Sequence, residues 1–378
     1  MNRRLAGALL GLLCMVGCSA GPPQPAHSTL VLGVDAPQTG PEAADGMAVV
    51  DAVRQVLNDE YRGSIEGLPV AVRAFDDSAD GRRDPAQGER NLRQMVADRS
   101  LVGIVGPLNS DVAGAEIPVA SSAHLAMVSP SASNECLTKA LPGCLVAPKD
   151  LRGGQPNDFF RVVPTADLEP PALVAYATGT LHVTHVAVAS DGQAYGKSIR
   201  SAFETALKVA GFTPVTGDDL DPNNATALDA FLAEAKNGGA DSVFFAGRGD
   251  GGACKVQPRV AAKLGATVPF FGGSGLQGAA CLKDLGASAA PGFYTISAGS
   301  GTVGERAKVA ARALLTAFRA AVKADGGNLP AREDVRLAVS QSVNPHFDPN
   351  GDTRERVFTI LKASGQPPAW LPADEVHL

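Results

Sequence analysis

The residues of this chain that could do chemistry are hydroxyls, glycine loops and scattered charges, and each familiar catalytic spacing fails at one position. Gly272-Gly273-Ser274-Gly275-Leu276 sets a serine between glycines, but a nucleophile elbow needs glycine where Leu276 stands. Asp191-Gly192-Gln193-Ala194-Tyr195-Gly196-Lys197-Ser198 approaches a P-loop, yet Asp191 fills the place of the first glycine, so the phosphate cradle is broken. Gly247-Arg248-Gly249-Asp250-Gly251-Gly252 does satisfy the dinucleotide fingerprint. No acidic residue lies about 20 positions on to hold a ribose, and the segment reads as a tight strand-to-helix loop. The histidines at 27, 124, 182, 185, 346 and 377 show no metal-ligand spacing. Asp76-Asp77 reads as a strand-end turn. No enzymatic reaction, metal or cofactor is expected.

The elements that must position these residues are short continuous apolar runs: Leu30–Val34, Val70–Phe75, Leu101–Val105, Leu125–Val128, Val186–Ala189, Ser242–Phe245, Val268–Phe271 and Phe293–Ile296. Continuous rather than alternating runs predict parallel strands buried on both faces. Helical patterns lie between them. In Arg306–Ala324, Ala307, Ala310, Leu314, Ala317, Phe318 and Ala321 share a face before Gly326-Gly327 ends the helix. Strand-helix alternation predicts doubly wound α/β layers, and so many strands predict two lobes rather than one sheet. The segment 129–154, rich in Ser, Pro and Gly, is the longest irregular stretch and reads as a functional loop. In such sheets ligands bind outside the carboxyl ends of strands. Ser110 follows one run and Ser131 and Ser133 another, so their hydroxyls and free backbone N–H groups at helix starts form a receptor for a carboxylate. Helix capping would use the same residues.

The N-terminus addresses the protein. Arg3 and Arg4 precede the apolar run Leu5 to Met15, which is shorter than the ~20 residues that span a bilayer. Residues 1–17 therefore read as a cleaved signal peptide, and the Pro-rich 18–28 as a tether. Met15-Val16-Gly17-Cys18 is similar to the lipobox of bacterial lipoproteins, which implies lipidation at Cys18 and a place at the outer face of the cell membrane or in the periplasm. Cys14 falls in the signal. Four cysteines remain, and in an oxidising compartment they predict two disulfides rather than a zinc site, since no tight Cys-x₂₋₄-Cys pair occurs. Of three connectivities, the pairing nearest in sequence is Cys136 with Cys144 and Cys254 with Cys281. Among the 378 residues, 33 basic against 39 acidic give a net charge of −6 without long same-sign runs, which argues against nucleic acid as a partner. A hydrophobic content of 45% excludes disorder.

Several words, in order and spacing, match a known family. They are Gly33-Val34 through Thr39-Gly40-Pro41, Asp76-Asp77 with Asp84-Pro85, Val105-Gly106-Pro107 with Ser110, Val128-Ser129-Pro130-Ser131-Ala132-Ser133-Asn134, Phe159-Phe160-Arg161, and Tyr195-Gly196. Across residues ~30–300 the sequence resembles the type I periplasmic solute-binding proteins, in their Leu/Ile/Val-binding branch. The resemblance implies two α/β lobes joined by three crossovers, placed near 163, 298 and 345, that close over a ligand by a hinge. Lobe I would be 29–163 plus 299–345, and lobe II 164–298 plus 346–378. It further implies that Ser110 with the main chain of Ser131 and Ser133 holds a ligand carboxylate, and that Tyr195 closes from the other lobe.

Two departures stand out. Amino-acid-binding members carry an acid in a Gly-x-[Asp/Glu]-Gly loop to pair with the ligand ammonium, where this chain has Ser274, a neutral hydroxyl. Many members place an aromatic after Thr-Gly-Pro, where this chain has Asp45, with Arg248 expected opposite in the cleft. Asp45 or Asp250 is then the candidate for the missing negative charge; otherwise the ligand is not a free amino acid. The expected function is a monomeric, lipid-anchored receptor that passes a small polar ligand, an amino acid or related carboxylate or amide, to an ABC permease. A sensor or scavenger of the same fold without a permease, and an envelope hydrolase, are the competing readings.

Overall fold

The computed structural model describes residues 29–277, 279–285 and 292–378; the signal segment, Cys18 and the tether lie outside them. The first sheet is built from β1 (Leu30–Ala36), β2 (Ser64–Ile65), β3 (Leu68–Asp76), β6 (Leu101–Val105), β7 (Ala126–Ser129) and β8 (Phe159–Arg161), with β4 (Ser78–Ala79) and β5 (Arg82–Arg83) forming a separate ribbon. Its order is β2-β3-β1-β6-β7-β8, parallel except for the short β2. Helices α1 (Ala43–Tyr61), α2 (Pro85–Ala97) and α3 (Ser110–Ser122) connect its strands, and a short α4 (Pro148–Leu151) lies in the loop before β8.

The second sheet runs β10-β9-β11-β12-β13-β14-β15, from β9 (Val186–Ser190), β10 (Thr216–Asp219), β11 (Ser242–Ala246), β12 (Phe270–Phe271), β13 (Phe293–Ala298), β14 (Val357–Ser364) and β15 (Ala369–His377). Its helices are α5 (Glu169–Ala175), α6 (Ala194–Val209), α7 (Ala225–Asn237), α8 (Val256–Lys263) and α9 (Ala279–Asp284). The strands of both sheets that carry the cleft loops are buried end to end, which is why they read as continuous apolar runs.

The chain passes between the lobes three times. The first passage follows β8, and the second follows β13, after which α10 (Val303–Ala324) and α11 (Arg332–Ser340) return to the first lobe and pack on α1 and β6. A capping box starts α10 ahead of the periodic stretch: Thr302 Oγ1 accepts from the Glu305 N–H and Glu305 Oε2 from the Thr302 N–H. The third passage falls later than 345. Phe347 sits in the first lobe's core with its ring 5.2 Å from that of Phe160, and Asp352 and Thr353 bridge to Arg161 and Phe347, so the crossing lies between Thr353 and Val357. The C-terminal hairpin β14–β15 is antiparallel, and β15 is largely exposed, so it lacks the buried apolar run that marks the other strands.

The Asp76-Asp77 pair divides into two roles rather than one turn. Asp76 ends β3 and ties the turn, accepting from the Gln38 N–H at 2.8 Å and from Thr39 Oγ1 at 2.9 Å. Asp77 is fully buried near Asp35 and Glu116, which are buried as well. Burial pushes the Asp35 carboxyl up to about 6 and Asp77 up to about 8, the latter with help from the charges of Asp35 and Asp76; Glu116 is raised by burial and by the charge of Asp35. The folded state thus holds these protons more tightly than the unfolded chain. Their stabilisation is complete below the ordinary carboxylate range and is lost as pH rises toward 8. The melting temperature should therefore fall from pH 5 to pH 8, and Asp77→Asn should flatten that fall; a melting temperature that rises over this interval would contradict the assignment.

Candidate functional site

Six of the seven expected ligand-binding residues line one cavity of about 900 Å³: Ser110, Ser131 and Ser133 from the first lobe, and Tyr195, Arg248 and Ser274 from the second. All stand at or just beyond carboxyl ends of parallel strands. The apolar part of the lining comes from Leu108, Leu141, Pro142, Pro170, Ile199 and Ala202.

Asp45 is not among the lining residues. It sits in the first turn of α1, where burial and Glu42 raise its carboxyl and the facing Arg306 opposes them. Arg306 in turn donates to the carbonyls of Pro130 at 3.0 Å and Gly301 at 2.7 Å. Asp45 thus feels the charge of Arg306 and stands outside the cavity lining. The side chain of Asp250 is outside the described residues.

The first-lobe half is built by two loops. Gly106 takes a positive φ of 130°, where a Cβ would stand 2.2 Å from the Asp35 carbonyl, so only glycine lets β6 turn into α3 this closely. Ser110 opens α3, and its Oγ accepts from the Asn134 N–H at 3.1 Å, which joins this loop to the next. Ser129 Oγ accepts from the N–H groups of Ser131 and Ala132 at 3.3 and 2.9 Å and donates to the Pro107 carbonyl at 2.6 Å. One of the expected anion donors, the Ser131 N–H, is therefore already turned toward a hydroxyl.

Beneath that loop lies Arg161, fully buried. It donates to the carbonyls of Ala132 at 3.0 Å and Asn134 at 2.7 Å, to Asp352 at 2.7 Å, and to Thr138 Oγ1. Arg83, unlike Arg161, lines the cavity; it bridges Glu42 at 2.8 Å and Asp111 at 3.1 Å, and Asn109 reaches Glu42 at 2.8 Å. Sequence reasoning missed Arg83. Its signal was local, since Asp84 caps α2 by accepting from the Ala86 N–H, with Pro85 in the first turn, and so fixes the residue just before it at the cleft rim.

In the second lobe, Tyr195 begins α6, and its hydroxyl accepts from the Gly275 N–H at 3.2 Å; burial pushes the phenol up to about 12. Behind Ser274 is a carboxyl that sequence reasoning also missed, Glu169 at the start of α5, 1% exposed, whose Oε2 accepts from the Ser274 N–H at 3.1 Å. Arg248 lies on the loop after β11, whose backbone N–H donates to Asp191 Oδ2 at 3.4 Å. The glycines of this loop answer to packing rather than to a dinucleotide. A Cβ on Gly247 would stand 2.8 Å from Asp191 Oδ2, and one on Gly249 would stand 3.1 Å from Cys281 Cβ.

The disulfides are Cys136–Cys144 and Cys254–Cys281, with Cα separations of 5.3 and 5.2 Å. Each staples a cleft segment. The first closes the loop carrying Leu141 and Pro142, and the second packs against the Arg248 loop.

Two α/β lobes, each presenting hydroxyls and an arginine, line one shared cleft, the arrangement of a two-lobed binding fold. The chain belongs to the periplasmic binding protein family, whose model matches residues 29–335. It is 28% identical over 291 residues to the Leu/Ile/Val-binding protein BraC3 of Rhizobium johnstonii, an alignment covering 76% of this chain and 73% of that one. Among solved structures, the fold is similar to the branched-chain amino acid substrate-binding protein LivJ of Streptococcus pneumoniae in complex with isoleucine, with a TM-score of 0.61, 17% identity, and 91% and 100% of the two chains covered. It is also similar to a solute-binding protein of R. palustris in complex with benzoate, with a TM-score of 0.59, 16% identity, and 93% and 97% covered. Family membership places the protein outside the cytoplasm and among solute-binding proteins.

Removing Arg161 would leave Asp352 buried without its cation, a loss of about 3–5 kcal/mol. Arg161→Leu should therefore lower the melting temperature severely. An unchanged melting temperature would show that the Arg161–Asp352 contact does not hold the serine loop.

Proposed function

We propose that this protein is a lipid-anchored extracytoplasmic receptor that closes on a small aliphatic amino acid and passes it to an ABC permease. One observation carries the reading: the hydroxyls of Ser110, Ser131 and Ser133 and the groups Tyr195, Arg248 and Ser274 come from opposite lobes and face a single cavity with an apolar flank. The ligand carboxylate would meet the α3 start and the serine loop, where N–H groups, hydroxyls and the helix dipole favour an anion. The aliphatic side chain would lie against Leu108, Leu141, Pro142 and Ile199. The names of BraC3 and LivJ support an amino acid as the ligand, and the R. palustris protein, named as part of an ABC transporter, supports an ABC permease as the acceptor. The tether and Cys18 support lipid anchoring, and among the described residues no helix is long and apolar enough to cross a membrane. A second reading has a carboxylate without an amine as ligand; Ser274 in place of an acid favours it.

Three measurements test the proposal. In a thermal-shift screen of the twenty amino acids and simple aliphatic and aromatic carboxylates, a ligand at 100 times its Kd adds ~2.7 kcal/mol of apparent stability, and L-leucine, L-isoleucine or L-valine is expected to give the largest shift. Ser110→Ala removes a hydrogen bond to a charged group and should weaken that ligand roughly 10–150-fold, while Tyr195→Ala should act mainly by speeding dissociation. Unchanged affinity in both variants would put the site elsewhere. For the anchor, Cys18→Ala should abolish fatty-acid labelling; normal labelling of that variant would refute lipidation at Cys18.

A further inference from the structure

We infer that Glu169 supplies the negative charge that Ser274 lacks, and that an ammonium-bearing ligand binds this cleft with release of a proton from the Glu169 carboxyl. The inference rests on the amino-acid reading above and names the group that would recognise the amine.

The geometry carries it. Ser274 lines the cleft, and its N–H donates to Glu169 Oε2 at 3.1 Å. The other oxygen, Oε1, is buried without a hydrogen-bond partner among the described residues. A buried carboxyl oxygen left without a partner is costly, so it marks a place where a hydrogen-bonding group is missing. The Ser274 hydroxyl lies beside both the Glu169 carboxyl and the Tyr195 hydroxyl, and a Cβ built on Gly273 would stand 3.6 Å from Glu169 Oε2 and from Tyr195 Oη alike. Tyr195 already accepts from the Gly275 N–H, which leaves its proton to donate. Glu169, Ser274 and Tyr195 therefore form one polar cluster at the second-lobe wall, opposite the serines expected to hold the carboxylate.

The groups that bear on Glu169 are few. Burial raises its carboxyl to about 7, the backbone and side chain of Ser274 oppose that rise, and Glu135, from the disulfide loop across the cleft, adds to it. Tyr195 of α6 stays protonated, and Arg248 acts on it from the β11 loop. Among the described residues no cation lowers the Glu169 carboxyl, so an arriving ammonium is the charge that would hold it ionised. The step balances simply. The neutral carboxyl gives its proton to solvent, and the carboxylate that remains pairs with the ligand ammonium through the cleft-lining Ser274 hydroxyl, which then donates to Glu169 and accepts from the amine.

The probe is L-leucine, titrated calorimetrically between pH 5.5 and 8 in buffers of different ionisation enthalpy. Neither of its own groups titrates in that range, so its affinity should rise with pH, by up to roughly tenfold per pH unit below the Glu169 titration, and level off above it. Proton release should approach one per leucine at the acid end and vanish at pH 8. Glu169→Gln should weaken L-leucine roughly 10–150-fold at pH 8 and abolish both the slope and the proton release. The proton count is read on the unaltered protein, so it stands even if the variant does not fold. L-leucine binding with a flat pH profile and no proton release would overturn the role of Glu169 and leave the amino-acid reading intact. Failure of all twenty amino acids to bind would overturn the amino-acid reading, and this inference with it.

Discussion

Arg161 is the contact on which the cleft depends. A fully buried guanidinium must find acceptors for its donors, and it finds them in Asp352, Thr138 and the carbonyls of Ala132 and Asn134. Those partners belong to three segments: the serine loop, the disulfide-closed loop behind it, and the strand of chain that makes the third passage between lobes. One side chain thus fixes the shape of the ligand-facing turn and ties it to the hinge. Burial at this position is affordable only because Asp352 is held there too, by its own backbone bond to Asp348 at 3.0 Å and by Thr138 at 2.9 Å.

The rest of the architecture follows from the sheets. Strands buried on both faces leave no room for polar groups along their length, so polar groups collect where the strands end. In each lobe that end faces the other lobe. The cleft therefore receives hydroxyls and arginines from both sides, while the lobes hide carboxyls whose proton affinity burial raises. Glu169 is such a group in the second lobe, and Asp35, Asp77 and Glu116 are such groups in the first. The first-lobe set lies in the core and bears on stability, whereas Glu169 touches a cleft residue directly.

What was legible in the sequence was what short-range pattern encodes. Continuous apolar runs marked β1, β3, β6, β7, β9, β11, β12 and β13 to within a few residues; position at the end of a run selected Ser110, Ser131 and Ser133, and the family resemblance added Tyr195 and Ser274, all of which line the cavity. The nearest-in-sequence pairing of cysteines is also the one the structure contains. Long-range charge was not legible. Asp45 stood near a recognisable word, but Arg306, some 260 positions away, engages it outside the cavity. Glu169 sat ahead of Pro170-Pro171 and read as an ordinary helix start; only the fold brings it beneath Ser274, 105 residues on. Asp77 looked like turn chemistry because its burial depends on Asp35 from a neighbouring strand. The exposed edge strand β15 carries no continuous apolar run and gave no strand signal of the kind sought.

The most direct test of the account is a crystal structure of the protein grown with L-leucine. The account predicts a closed cleft holding one leucine, its carboxylate at Ser110 and the Ser131–Ser133 turn and its ammonium toward Ser274 and Glu169, with Tyr195 in contact. Leucine bound with the reverse orientation, or at a surface away from these residues, would contradict it.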